Sequence, residues 1–426
     1  MSAARWGDRI TPKQGAALVR RILEHGHMHG ADAVLLHDLD RMRGRIAALR
    51  VAFPSGTQHA VAVKANPVLG VLRACVDAGA GLECASWPEV ACSLAAGCSP
   101  EAIIFDSPAK TRAELREGLD RGIHLNADNF DELDRIAARV AQAPTTSVIG
   151  LRVNPQVGPG SIATTSVAHQ LSKMGVPLGS DRAAILERYV AHEWLTGIHV
   201  HVGSQGVALE QLVTAARRVV ELAQQIEDVA PGRLRHLDLG GGLPVAYRST
   251  DAPISLDAYV AALREAVPEL WAGPWRLYTE FGRAVQAGCG LAVSRVEYVK
   301  PAGDAQLAVI HLGADLLMRP VYHPGDWVHE FVALDANGVL KTGATIPTDV
   351  GGPLCFGGDL VARRIGLPAL VPGDLLVVRD TGAYTLSMWS RHCSRTQPAV
   401  LGLDEGVLRV LRPAETPADL VRYWGG

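Results

Sequence analysis

The chain has 426 residues, 48% hydrophobic and 20% charged, a length that suits two or three domains and a composition that suits a folded globular protein rather than a disordered or low-complexity one. Lys and Arg total 41 against 44 Asp and Glu, spread without long runs, so no basic face is available to track nucleic acid or an anionic membrane. A small molecule is the expected partner.

The opening "MSAARWGDRI" has no apolar signal core, and nowhere do about 18 uncharged apolar residues run together, so a cytoplasmic, non-membrane protein is expected. Seven cysteines at irregular spacing, without a Cys-x-x-Cys pair, suggest neither a disulfide framework nor a metal site. Residues 1–37 are expected to pack with a second domain. From residue 38 to 285, short β-branched runs alternate with amphipathic stretches.

The first run, "AVAV" at 60–63, leads to Lys64 and then to a helix carrying Val68, Leu72, Cys75 and Val76 on one face, closed by Gly79. "GLECAS" follows as a strand end, and Ser86 with Glu89 reads as a capping box. Further strands are expected in "AIIF" at 102–105, "IHLN" at 123–126, "SVIGLRV" at 147–153, "GIHVHV" at 197–202, "LRHLDL" at 234–239 and "WRLYTE" at 275–280. Eight strand–helix units predict a (β/α)8 TIM barrel over 38–285, because parallel strands need crossover helices and eight of them close the sheet. From 286 to 426 the pattern turns β-rich, which predicts an all-β domain, a sandwich or small barrel, joined by residues 1–37.

Active sites of such barrels lie at the carboxyl ends of the strands. Lys64, Glu83, Arg152, Asn154 and His201 fall there, as do "GGGLP" at 240–244 and "EFGR" at 280–283. Three glycines after strand seven let backbone amides approach a phosphate, and Arg283 supplies a fixed positive charge. A lysine facing a phosphate site has one prominent use, a Schiff base to the aldehyde of pyridoxal 5'-phosphate. Glu280 then suits the pyridine nitrogen, and His201 suits the ring face. No metal is called for.

These residues resemble those of the fold-type III pyridoxal-phosphate decarboxylases, the family of diaminopimelate, ornithine and biosynthetic arginine decarboxylases, nearly from end to end. "AVKAN" matches the Schiff-base lysine motif with Lys64, and "GLECASWPEV" places Glu83 beside the cofactor. "HVGSQ" supplies His201 for stacking and Ser204 for phosphate, and "LDLGGGLPVAY" supplies Gly240, Gly241 and Gly242. "EFGR" resembles the family's Glu-Pro-Gly-Arg, giving Glu280 to the ring nitrogen and Gly282 and Arg283 to the phosphate, with Phe281 in place of proline. "GPLCFGGD" and "GAYTLSM" imply that Cys355 and Asp359 reach the active site of the other subunit and that Tyr384 holds the phosphate. The resemblance therefore implies an amino-acid decarboxylase of alanine-racemase-like fold, acting as a homodimer with shared sites, with Cys355 returning a proton to the α-carbon.

One position departs from the family. Where diaminopimelate and ornithine decarboxylases carry an acid for the substrate's distal ammonium group, this chain has Phe356, and burying an unpaired ammonium there would cost about 2–5 kcal/mol. Arg319 in "LLMRPVY" resembles the arginine that diaminopimelate decarboxylases use for a distal carboxylate, with Tyr322 as a second substrate contact, one residue early against the family's pattern. The usual Tyr-Asn is absent from "SRHCSR" at 390–395. The expected substrate carries a remote carboxylate and lacks the distal ammonium, as a conjugated amino acid of siderophore or other secondary metabolism does. Diaminopimelate decarboxylase proper, an amino-acid racemase and a non-catalytic pyridoxal-phosphate-binding protein are the alternatives. A racemase of that fold sets arginine on the ring nitrogen and a tyrosine as second base, where this chain has Glu280 and Cys355.

Overall fold

The computed structural model describes residues 6–426. By internal contacts the chain divides into two compact units. The first takes in Arg43–Val245 and Pro253–Val285, and the second Gly7–Met42, Ala246–Ala252 and Gln286–Gly426. Residues 38–42 and the short stretch Ala246–Ala252 thus group with the second unit rather than with the barrel expected over 38–285.

In the first unit eight parallel strands close on themselves: Gln58–Ala62, Gly81–Cys84, Ile103–Phe105, His124–Ala127, Ile149–Asn154, Leu195–Val200, His236–Asp238 and Arg276–Thr279. The last strand pairs with the first, Thr279 opposite His59, and the fourth with the fifth, Leu125 opposite Ile149. Strands two to five are buried at every position, which is why they read as continuous apolar runs. A ninth, two-residue strand at Val176–Pro177 lies against the fifth.

A helix follows each of the first seven strands, and a second short one, Glu269–Ala272, follows the seventh. The longest, Leu209–Val229, buries Leu212, Val213, Ala216, Val219, Val220, Ala223 and Ile226 at three- and four-residue spacing. After the eighth strand only the short turn Arg283–Gln286 follows, and the longer helix Leu39–Ala52 precedes the first strand. From that helix Arg45 donates Nη1 to the carbonyl of Ala284 at 2.9 Å, with the arginine fully buried. Ser86 caps its helix through the amide of Glu89, while the Glu89 carboxylate accepts the amide of Ala85 at 2.7 Å rather than that of Ser86. Half of the expected capping box is therefore shifted by one residue. Gly79 follows its helix at φ +79°, the left-handed region that suits glycine.

The second unit is built on a nine-stranded mixed sheet. Its centre is the strand Ala33–Asp38, antiparallel to Gly290–Ala302 and parallel to Ala399–Asp404. The helix Pro12–Glu24, closed by a Thr11–Gln14 capping box, sets Leu18, Val19 and Ile22 into a core with Val34, Leu36, Leu291, Val293, Leu375, Val377 and Leu401. Arg9 binds Asp380 and Glu330 within the same unit. No helix among the described residues is long and apolar enough to cross a membrane.

Candidate active site

The first strand ends in a single 3-10 turn, Val63–Ala65, that lifts Lys64 out of the sheet's hydrogen-bond ladder. The lysine side chain is half-exposed, and its Nζ pairs with the carboxylate of Glu83, which ends the neighbouring strand and is 1% exposed. Burial pushes the Glu83 carboxyl up to about 7, against the pull of Lys64 and with the help of the Glu280 charge.

Across the mouth lie three more buried carboxyls, Asp106, Asp238 and Glu280. Four acids cannot all keep their charge in so dry a place. Burial and the neighbouring Glu280 charge raise Asp106 and Asp238 well above the usual carboxylate range. Burial alone would also raise Glu280, but hydrogen bonds and charge from His199, His201 and Asp106 hold it well below its ordinary value. Of the four, Glu280 alone is held below its ordinary value.

Glu280 Oε2 lies 3.3 Å from His199 Nε2 and 3.6 Å from His201 Nδ1. Burial lowers both imidazoles, His201 to about 4, against the pull of the Glu280 charge. The amide of Gly241 donates to His201 Nδ1 at 3.1 Å. His199 also faces Asp106 at 3.4 Å, and Asn126 donates to the other Asp106 oxygen at 2.8 Å.

The three glycines after strand seven are pinned by their neighbours. A Cβ at Gly240 would meet the carbonyl oxygen of Val200 at 2.4 Å, one at Gly241 that of Glu280 at 2.4 Å, and one at Gly242 that of Gly203 at 2.8 Å. Gly240 and Gly242 also have φ of +63° and +114°. Asp238 fixes the start of this loop by accepting the Gly240 amide at 2.8 Å. Opposite, Arg283 donates Nε and Nη2 to Ser204 Oγ at 3.1 and 3.0 Å. Phe281, between the acid and the arginine, is buried in an aromatic cluster with Phe53 and Tyr259.

These residues fit pyridoxal phosphate. Glu280 Oε1 is buried and has no hydrogen-bond partner among the described residues, and a protonated pyridine nitrogen would supply one. The glycine loop with Arg283 and Ser204 offers donors and positive charge for the phosphate, and Lys64 offers the amine.

The second unit carries the other expected residues. Cys355 is exposed, not the buried inert thiol that an isolated cysteine usually is. Phe356 stacks on Tyr322 with ring centroids 6.1 Å apart and meets His392 edge-on at 6.0 Å. Arg319 lies over the rings of Trp327 and Tyr384, at 4.4 and 4.9 Å. The two oxygens of Asp359 accept the amides of Ala314 and Leu354, each at 2.7 Å, so it shapes the loop that presents Cys355.

Sequence reasoning passed over His199, Asp106 and Asp238. His199 and His201 sit two apart in "HVH", the spacing that puts both on one face of a strand, and Asp106 directly follows the third strand. Those were the available signals.

Residues 39–287 match the family model described as pyridoxal-dependent decarboxylase, pyridoxal binding domain. The chain is 33% identical over 371 residues to a diaminopimelate decarboxylase of Pseudomonas aeruginosa, covering 86% of each protein. It is 30% identical over 424 residues to one of Methanothermobacter thermautotrophicus, covering 94% of this chain and 96% of the relative. It is also similar to the crystal structure of diaminopimelate decarboxylase from Helicobacter pylori complexed with L-lysine, with a TM-score of 0.84 at 26% identity, covering 94% and 99% of the two chains. A closed eight-stranded barrel with the buried Glu280 carboxylate and a glycine-lined donor loop at its mouth thus meets sequence similarity over most of the chain, and the protein belongs to the pyridoxal-dependent decarboxylase family as an amino-acid carboxy-lyase.

Proposed function

We propose that the protein removes the α-carboxylate of an amino acid whose far end carries a carboxylate and no free ammonium group. The observation that carries this reading is Phe356: an aromatic ring, stacked on Tyr322, next to the exposed Cys355. An apolar ring accepts no charged hydrogen bond, and a buried ammonium left against it forfeits about 2–5 kcal/mol. Arg319, with its planar fork, suits a carboxylate held in bidentate fashion.

Pyridoxal phosphate, when bound, supplies an aldehyde carbon for the substrate amine and a ring that takes up the electron pair left as CO2 departs. Lys64 would hold the aldehyde carbon between turnovers, and Glu83, whose carboxyl burial pushes up to about 7, would take and return the proton of its Nζ. Glu280 would set its charge against the ring nitrogen, stabilising added ring electrons. His201 would lie against the ring face. Ser204, Gly240, Gly241, Gly242, Gly282, Arg283 and Tyr384 would hold the phosphate. Cys355, from the second unit of a partner copy in a homodimer, returns the proton to the α-carbon.

Diaminopimelate decarboxylase proper is the second reading, favoured by the names of the relatives at 30–33% identity. Assays of CO2 release from diaminopimelate, ornithine, lysine, arginine and citryl-diaminopropionate separate the two. The proposal expects kcat/KM for the free diamino acids at least ~30-fold below that for the conjugated acid, the equivalent of about 2 kcal/mol. Fast turnover of diaminopimelate would overturn it in favour of the second reading.

A further inference from the structure

We propose that Cys355 and Cys393 are a dithiol pair that closes to an intrachain disulfide, and that closure withdraws Cys355 from turnover; the second clause rests on the role given to Cys355 above. Both cysteines are free and exposed, whereas Cys75, Cys84, Cys98 and Cys289 are buried and Cys92 is half-buried. The amide of Cys355 donates to Cys393 Sγ at 3.5 Å, although 38 residues separate the two in sequence. Since Cβ lies about 2.5 Å from its own amide nitrogen, the Cys393 sulfur is within roughly 6 Å of Cys355 Cβ. With the Cβ–Sγ bond of about 1.8 Å added, the two Cβ atoms lie within roughly 8 Å, against the about 3.5–4.5 Å that a disulfide needs, so the two exposed loops must close by a few ångströms at most.

The local chain is built to hold this approach. The Cys355 loop is pinned from inside by Asp359, which accepts the Leu354 amide next to the cysteine. Cys393 sits in a tight turn at φ +56°, followed by Ser394 at +48°. On the other side the turn is tied by Arg391, which grips both oxygens of Glu415 at 2.6 and 2.8 Å. His392 packs edge-on against Phe356. The two segments that carry the thiols are therefore in contact through their own side chains, and both cysteines are exposed.

The step balances with a low-molecular-weight disulfide as oxidant. One protein thiolate attacks it, forming a mixed disulfide and releasing one small thiol. The second protein thiolate attacks the mixed disulfide, forming the Cys355–Cys393 bond and releasing the second small thiol. The two electrons lost by the protein reduce the oxidant, and an added dithiol reverses the reaction.

The experiment treats the reconstituted full-length enzyme with oxidised glutathione and maps its peptides by mass spectrometry without reduction, alongside the variant Cys393→Ser. The wild type should yield a Cys355–Cys393 linked peptide pair from monomer-sized chains, and turnover should fall by at least about 100-fold, the scale of a lost general acid, and return with dithiothreitol. Cys393→Ser should stop at a glutathione adduct on Cys355. If the wild type also stops at that adduct, or takes up no modification at Cys355, the pairing is overturned. If the linked pair forms and turnover is unchanged, the bond stands and the catalytic role of Cys355 is the part that fails.

Discussion

The Lys64–Glu83 pair joins the chemistry of the site to the stability of the fold through one carboxyl. Buried beside Glu280, Glu83 titrates near 7 in the folded protein against an ordinary value of 4.5. The native state thus keeps a proton that the unfolded chain sheds between those values. Its contribution is fully present below pH 4.5 and is lost as the pH rises through 7, up to about 3 kcal/mol. Urea unfolding of the cofactor-free protein from pH 4.5 to 8 should therefore show the wild type losing stability relative to Glu83→Gln, whose amide does not titrate; parallel profiles would contradict the raised value. At this scale the sequence was only partly readable. Lys64, His201, Glu280 and Arg283 stand out because a charged or ionisable residue at the end of a buried strand demands a reason. His199, Asp106 and Asp238 do not, since their importance lies in which carboxyl keeps its charge, and that depends on four groups brought together from four strands.

Between strand seven and its helix, the glycine loop does by backbone what side chains do elsewhere in the site. Its amides can face a phosphate only because nothing protrudes between them and the neighbouring strands. At Gly241 the nearest obstacle is the carbonyl of Glu280, so a methyl group there pushes on the residue that carries the site's charge. Gly241→Ala is expected to weaken pyridoxal-phosphate binding by at least ~10-fold, read from the absorbance titration of the reconstituted protein, as the loop shifts to relieve contact. Unchanged affinity would show that the loop does not grip the cofactor. The eight strands themselves were legible because each is a short apolar run bounded by polar turns, and the observed ends differ from the expected ones by a residue or two. The strand Val176–Pro177 was not, since two residues carry no periodicity. Nor was Ala33–Asp38, whose apolar run lies among residues assigned as a whole to packing against the second domain.

Over the whole molecule the account assigns Lys64 to one unit and Cys355 to the other, and proposes that a working site draws them from different copies. Two variants, Lys64→Ala and Cys355→Ala, should each be nearly inactive alone. Mixed in equal amounts and allowed to exchange subunits, half of the dimers become hybrids with one intact site, and roughly a quarter of wild-type activity should return. A mixture no more active than its components would place both residues in a site within one chain. Beneath all of these lies the claim that the amine of Lys64 carries the cofactor. The most direct test is borohydride reduction of the reconstituted protein followed by peptide mass mapping. The account predicts a single pyridoxyl group fixed on Lys64 and none after Lys64→Ala; a colourless protein, or a pyridoxyl group on another lysine, would contradict it.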